Sequence, residues 1–122
     1  MGERREFSFE KLIAYQKAKE YTICIYHLLK KFPSDERYAM CDQLKRASVS
    51  IVSNIAEGTS RTTNKDKSHF LDIAYSSLME TYSQMDLAKD LEYITEDDME
   101  LVQRQALEIV KLLAGLKKSY SC

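Results

Sequence analysis

Apolar side chains recur at spacings of three and four along four stretches of this chain, and short polar breaks separate them. In the first stretch, Leu12, Tyr15, Ala18, Thr22, Ile25, Leu29 and Phe32 share one face of a helix over about 8–32. Pro33 stops it. Ser34 then reads as the N-cap of a second helix over about 35–57, with Asp35 and Glu36 near the positive end of its dipole. Met40, Cys41, Leu44, Ala47, Ser48, Ile51, Ile55 and Ala56 face inward from it. Gly58 reads as its terminator, because glycine takes the left-handed conformation past a helix end at little cost. After a connection over Thr59 to Thr62, Thr63-Asn64-Lys65-Asp66 has the form of a capping box, with Asp in place of the usual Glu or Gln. The third helix, about 64–91, turns Phe70, Ile73, Ala74, Ser77, Leu78, Thr81, Met85 and Ala88 inward. Thr95-Glu96-Asp97-Asp98 repeats the capping signal. The fourth helix, about 96–119, carries Met99, Val102, Ala106, Ile109, Leu113 and Leu116 on one stripe.

Four helices of similar length with short connections predict an all-α fold: an antiparallel up-down-up-down four-helix bundle, one domain over residues 1–122. A three-helix core with a loosely docked fourth helix is the alternative. Composition fits, since three glycines and one proline leave little room for the turns of a β-sandwich. No apolar run approaches the ~20 residues a membrane span needs. Met1-Gly-Glu-Arg-Arg-Glu6 has no apolar segment behind it, so the expectation is a cytoplasmic protein. Cys24, Cys41 and Cys122 are an odd set, and the first two fall on helical stripes, where a thiol acts as a small hydrophobe.

The segment from Asp42 to Gly58 stands apart, because a helix with so many small and polar inward positions allows close packing. In a level hairpin, position i would face about 124 minus i on the third helix. Gln43 then lies level with Glu80, and Asn54 with Phe70. Gln43 or Arg46 is expected to reach Glu80, while Asn54 and Glu57 fix the helix end and the loop after it. Such paired polar groups can set register. A ligand or subunit contact is the other reading of these positions.

These residues carry a resemblance. Asp42-Gln-Leu-Lys-Arg-Ala47 through Asn54-Ile-Ala-Glu-Gly58 resembles the central motif of the four-helix-bundle proteins encoded in intervening sequences of bacterial 23S ribosomal RNA, also labelled S23 ribosomal proteins. Phe9 to Ala18 resembles that family's opening helix, Phe32-Pro33 and Glu36-Arg37-Tyr38 its first turn, and Phe70 to Glu80 its third helix, with Tyr75 standing where Gly or Arg is usual. Arg61, Ala88 and Leu91-Glu92-Tyr93 agree as well. The resemblance implies a bundle that assembles into a homopentamer and has no established catalysis. It also touches the accessory proteins of diversity-generating retroelements, basic pentamers that bind nucleic acid and a reverse transcriptase.

Motifs for chemistry are missing. A di-iron bundle needs two Glu-x-x-His pairs, and this chain has only His27 and His69, with Asp66-Lys-Ser-His69 supplying a single i, i+3 pair. Cys24 and His27 share a face but do not close a zinc site. There is no glycine-rich phosphate loop or nucleophile elbow, so neither a cofactor nor an enzyme is expected. Tyr21, Tyr26, Tyr75 and Tyr82 flank the stripes, as core boundary or subunit interface. Charge gives the functional clue. In an up-down bundle, Arg4, Arg5, Arg61, Lys65, Lys67, Lys117 and Lys118 share one end with Glu3, Glu6, Glu10, Glu57 and Asp66. Lys30, Lys31 and Arg37 share the other with Asp35, Glu36, Asp90, Glu92, Glu96, Asp97, Asp98 and Glu100. The first end is therefore the expected nucleic-acid-binding surface, for ribosomal RNA or another polyanion. A pI near 6.1 is the counterweight, since strong nucleic-acid binders are basic. A protein scaffold without nucleic acid is the competing expectation.

Overall fold

The computed structural model describes residues 7–121. A 3-10 turn at Ser8–Lys11 precedes α1 (Ile13–Leu29). A second 3-10 turn at Ser34–Glu36 leads to α2 (Met40–Thr59), followed by α3 (Asn64–Asp90) and α4 (Glu96–Ser119). Each helix packs on its two sequence neighbours and α4 closes back on α1, with α2 and α3 in the most extensive pairing. The fold is the antiparallel four-helix bundle, and α4 contributes Met99, Val102, Ala106, Ile109 and Leu113 to the single core. A loosely docked fourth helix is thereby excluded.

Two helix starts differ from the sequence reading. Leu12 is extended (φ −71, ψ 131) and divides the first segment. The break lets Phe9 meet the Tyr15 ring edge-on at 4.9 Å. The buried residues of α1 are Ala14, Ala18, Tyr21, Ile25, Leu28 and Leu29, so Ala18, Ile25 and Leu29 of the expected stripe lie in the core, and Tyr21 is central rather than flanking. Ser34 does not cap α2. Its 3-10 turn is held by the α3–α4 connection, where Tyr93 Oη donates to Glu36 Oε2 at 2.8 Å and the Tyr93 ring lies 5.2 Å from Phe32. Glu36 is therefore drawn away from the dipole of α2, which begins only at Met40.

The two later caps follow the sequence more closely. Thr63 Oγ1 accepts from Asp66 N, which is half of the capping box expected there. At Thr95 the box is complete, with Thr95 N donating to Asp98 Oδ2 and Asp98 N to Thr95 Oγ1, both at 3.0 Å.

The glycine of the central motif has another role than the one its position suggests. Gly58 lies inside α2, and the left-handed residue of the described chain is Glu92 (φ 66), just past α3. There Tyr93 N reaches back to Ala88 O at 2.9 Å, closing the helix end. Gly58 is instead a point of close approach. A Cβ there would lie 2.9 Å from Phe70 Cβ and 3.2 Å from the Lys67 carbonyl oxygen, which is backbone and cannot swing aside. Higher along the same seam, Ser77 Oγ donates to Ser50 Oγ at 2.9 Å, and Asn54 Nδ2 donates to both Ser50 O and Ser50 Oγ. Small side chains thus let α2 and α3 meet nearly backbone to backbone.

Across the bundle, Tyr21 and Thr81 are fully buried and their hydroxyls lie 2.8 Å apart. Thr81 Oγ1 donates to Leu78 O at 2.7 Å, so Tyr21 supplies the hydrogen between them. Burial pushes the Tyr21 phenol far above its ordinary range, which keeps it a neutral donor.

Gly58→Ala should destabilise the protein by about 1 kcal/mol, the overpacking cost of about 1–3 kcal/mol exceeding the helix-propensity gain. Gly115 is the control, because a Cβ added there would have nothing within 4 Å. Gly115→Ala should stabilise by about 0.5–1 kcal/mol. Urea unfolding of both variants reads the opposite signs.

Candidate functional site

The end formed by the α2–α3 connection and the C-terminus of α4 holds Arg61, Lys65, Lys67, Lys117 and Lys118. Arg4 and Arg5 lie outside the described residues, as do Glu3 and Glu6. Local structure already engages much of the rest. The Lys117 ammonium pairs with Asp72, an α3 carboxylate that a count confined to the chain ends leaves out. Lys67 is half-buried, donates to Thr59 O at 3.2 Å and lies over the Tyr120 ring. Arg61 covers the Phe70 ring at 4.5 Å and comes within 3.8 Å of Glu57. Lys65 and Lys118 are exposed. The five are brought to one end as expected, but as a partly neutralised surface.

The polar positions of α2 are arranged differently from the level-hairpin reading. Gln43 Oε1 accepts from Gln84 Nε2 at 3.0 Å, one turn beyond Glu80. Gln43 with Gln84 and Ser50 with Ser77 each add to 127 instead of about 124. The offset arises because facing pairs are chosen by which side of each helix meets its partner, and a count along the axis ignores that. Arg46 and Glu80 are both exposed and no hydrogen bond joins them among the described residues. Asn54 serves the α2–α3 seam through Ser50, while Glu57 reaches the loop through Arg61.

At the opposite end, charges are sorted by side. Lys89 lies 3.2–3.7 Å from Asp86, Asp90 and Glu96 on the α3–α4 side. Lys31 Nζ reaches Asp98 Oδ2 at 2.7 Å, tying the end of α1 to the start of α4. Around the corner, a groove of about 710 Å³ runs between the C-terminal half of α1 and the start of α2. Ile23, Tyr26, Leu29, Phe32 and Cys41 are among the residues that line it. Lys30, Arg37 and Lys45 stand on its rim with His27, and none of its lining residues is acidic. Lys45 lies 5.6 Å over the Tyr26 ring. The end read as acidic therefore contains a cationic groove. Its signal in the sequence is the spacing of Ile23, Tyr26 and Lys30, a second stripe on α1 turned away from the core.

Among the described residues no cluster of three or more His, Cys, Asp or Glu side chains could hold a metal. His27 and His69 sit at opposite ends of the bundle. Burial raises the thiols of Cys24 and Cys41, disfavouring reactive thiolates. No described helix is long and apolar enough to cross a membrane.

The sequence profile described as 23S rRNA-intervening sequence protein matches residues 10–115. The chain belongs to that family. Its fold is similar to that of a protein of unknown function from the S23 ribosomal protein family of Bacteroides thetaiotaomicron, solved by crystallography at 1.70 Å. The two align with a TM-score of 0.79 at 29% identity, over 87% of this chain and 99% of the other. No curated protein matches the chain. The match takes in the α2 segment, so the Asp42–Gly58 motif of this family member is the tight seam described above.

The capping box at Thr95 also answers to pH. Burial acts to raise the Asp98 carboxyl, but hydrogen bonds from the Lys31 ammonium and the Thr95 backbone outweigh it and hold the group below the usual range. A depressed carboxyl contributes stability above its unfolded value of about 3.9 and loses it as pH falls through the lower folded value. Asp98→Asn should therefore destabilise the protein at neutral pH, with the gap to the natural protein closing below about pH 4. Urea unfolding across roughly pH 3–7 checks it.

Proposed function

We propose that this member of the 23S rRNA-intervening sequence family is a non-enzymatic assembly unit of the cytoplasm. It packs against copies of itself and presents its Arg61 end to RNA. The observation that carries this reading is the number of large apolar side chains left in solvent on more than one face of the bundle. Ile23 and Tyr26 on α1, Val49 on α2 and Leu87 on α3 are among them, and Leu91 follows just past α3. A homopentamer is the assembly the family resemblance implies, and a ring would multiply the Arg61, Lys65 and Lys118 patch around its axis. Phosphates would meet these side chains through charge alone, since no base-reading motif accompanies them.

Mass measurement by light scattering at micromolar concentration should return a multiple of 14.2 kDa, the pentamer being five. A monomer would contradict the assembly. Fluorescence anisotropy with a structured RNA should show binding at low salt that weakens as salt rises, with Lys65→Glu and Lys118→Glu each lowering affinity. The engagement of Lys117 by Asp72 favours one competing reading, a scaffold that contacts only proteins. Intact assemblies that bind no RNA at low salt would establish that reading instead.

A further inference from the structure

The groove and a second surface at the same level of the bundle complement each other. The groove is apolar within and cationic on its rim, with Ile23 57% and Tyr26 39% exposed between Lys30, Arg37 and Lys45. Nothing in the described chain fills it. Leu87, near the end of α3, and Leu91, its C-cap, are 49% and 46% exposed and one helical turn apart. They form a short apolar ridge. Asp90 and Glu92 flank that ridge, and Asp86, Glu96 and Asp97 lie beyond it. Lys89 is the cation among them and is shared by three carboxylates. An apolar groove rimmed by positive charge thus stands beside an apolar ridge rimmed by negative charge.

We propose that the groove takes the Leu87–Leu91 ridge of a second copy of this chain. The proposal rests on the self-association reading and names the surfaces it uses. Height supports the pairing. The groove is built from the end of α1 and the start of α2, and the ridge from the end of α3, so antiparallel topology puts both at the same end. Copies with parallel axes can then join groove to ridge without sliding along one another. The two surfaces belong to different sides of the bundle, so the contact is heterologous: each copy offers a groove to one neighbour and a ridge to the other. Contacts of that kind close into rings when the rotation between copies allows. Charge of opposite sign on the two rims would fix the register and disfavour groove-to-groove pairing.

The test uses the full chain and two surface variants. Arg37→Glu with Lys45→Glu reverses the groove rim; Leu87→Asp with Leu91→Asp removes the apolar ridge and keeps its negative sign, so the two altered surfaces repel each other. All four positions are exposed, so both variants should keep the natural helical circular dichroism and melting temperature. Each alone should fall to the 14.2 kDa monomer in light scattering at a concentration where the natural chain is assembled. Mixed in equal amounts, they should form a heterodimer of twice that mass, because one intact groove meets one intact ridge and the ring cannot continue. If either variant keeps the natural assembly mass, the interface lies elsewhere, and the proposal falls while self-association stands. A mixture that stays monomeric overturns the heterologous pairing. A monomeric natural chain overturns self-association and this proposal with it.

Discussion

The close approach of α2 and α3 is the constraint from which the rest of this structure follows. At Gly58 the two backbones are so near that a single added carbon would collide with Phe70 and with a main-chain carbonyl. Ser50 and Ser77 meet through their hydroxyls instead of through bulk. With α2 and α3 held together, the larger apolar groups Leu44, Ile51, Ile55, Leu71, Leu78 and Met85 pack on the inner side. There they meet α1 and α4. The buried Tyr21–Thr81 bond then spans the bundle and fixes how α1 sits against α3. It is costly to break, because a buried hydroxyl left without a partner loses about 1–3 kcal/mol.

The surface takes its character from the same arrangement. Because α1 lies against α2 through Thr22, whose hydroxyl donates to Ser48 O at 3.1 Å, the outer sides of Ile23 and Tyr26 are left open beside Lys45. On the other side of the bundle, α3 ends in a cluster of carboxylates around one lysine. Charge is therefore distributed by side as much as by end, and a near-neutral total conceals two complementary edges.

Much of this is legible in the chain. Periodicity defines the four helices, and α4 runs over the span its stripe and caps mark out, because a complete Thr95–Asp98 box and an uninterrupted pattern leave no competing choice. Sequence and structure part where tertiary contacts override local signals. Ser34 has the chemistry of a cap, yet Tyr93 from the α3–α4 connection takes Glu36 and shapes that turn first. Gly58 has the sequence context of a helix terminator, yet its lack of a side chain is needed for packing. Glu92 bears the left-handed conformation with no glycine to announce it. Gln43 pairs one turn from the partner that level counting selects, because register depends on rotation about each helix axis. Charges alone mark out the basic end, but the Asp72 and Tyr120 contacts that temper it exist only once the helices are placed.

If the α2–α3 seam organises the fold, it should be the last part to open. Native-state hydrogen exchange followed residue by residue measures that order of opening. Amides from Ser48 to Ile55 and from Ala74 to Met85 should exchange slowest, and only through global unfolding. A slowest set confined to α1 and α4, with the seam opening locally at lower free energy, would show that the fold is organised elsewhere.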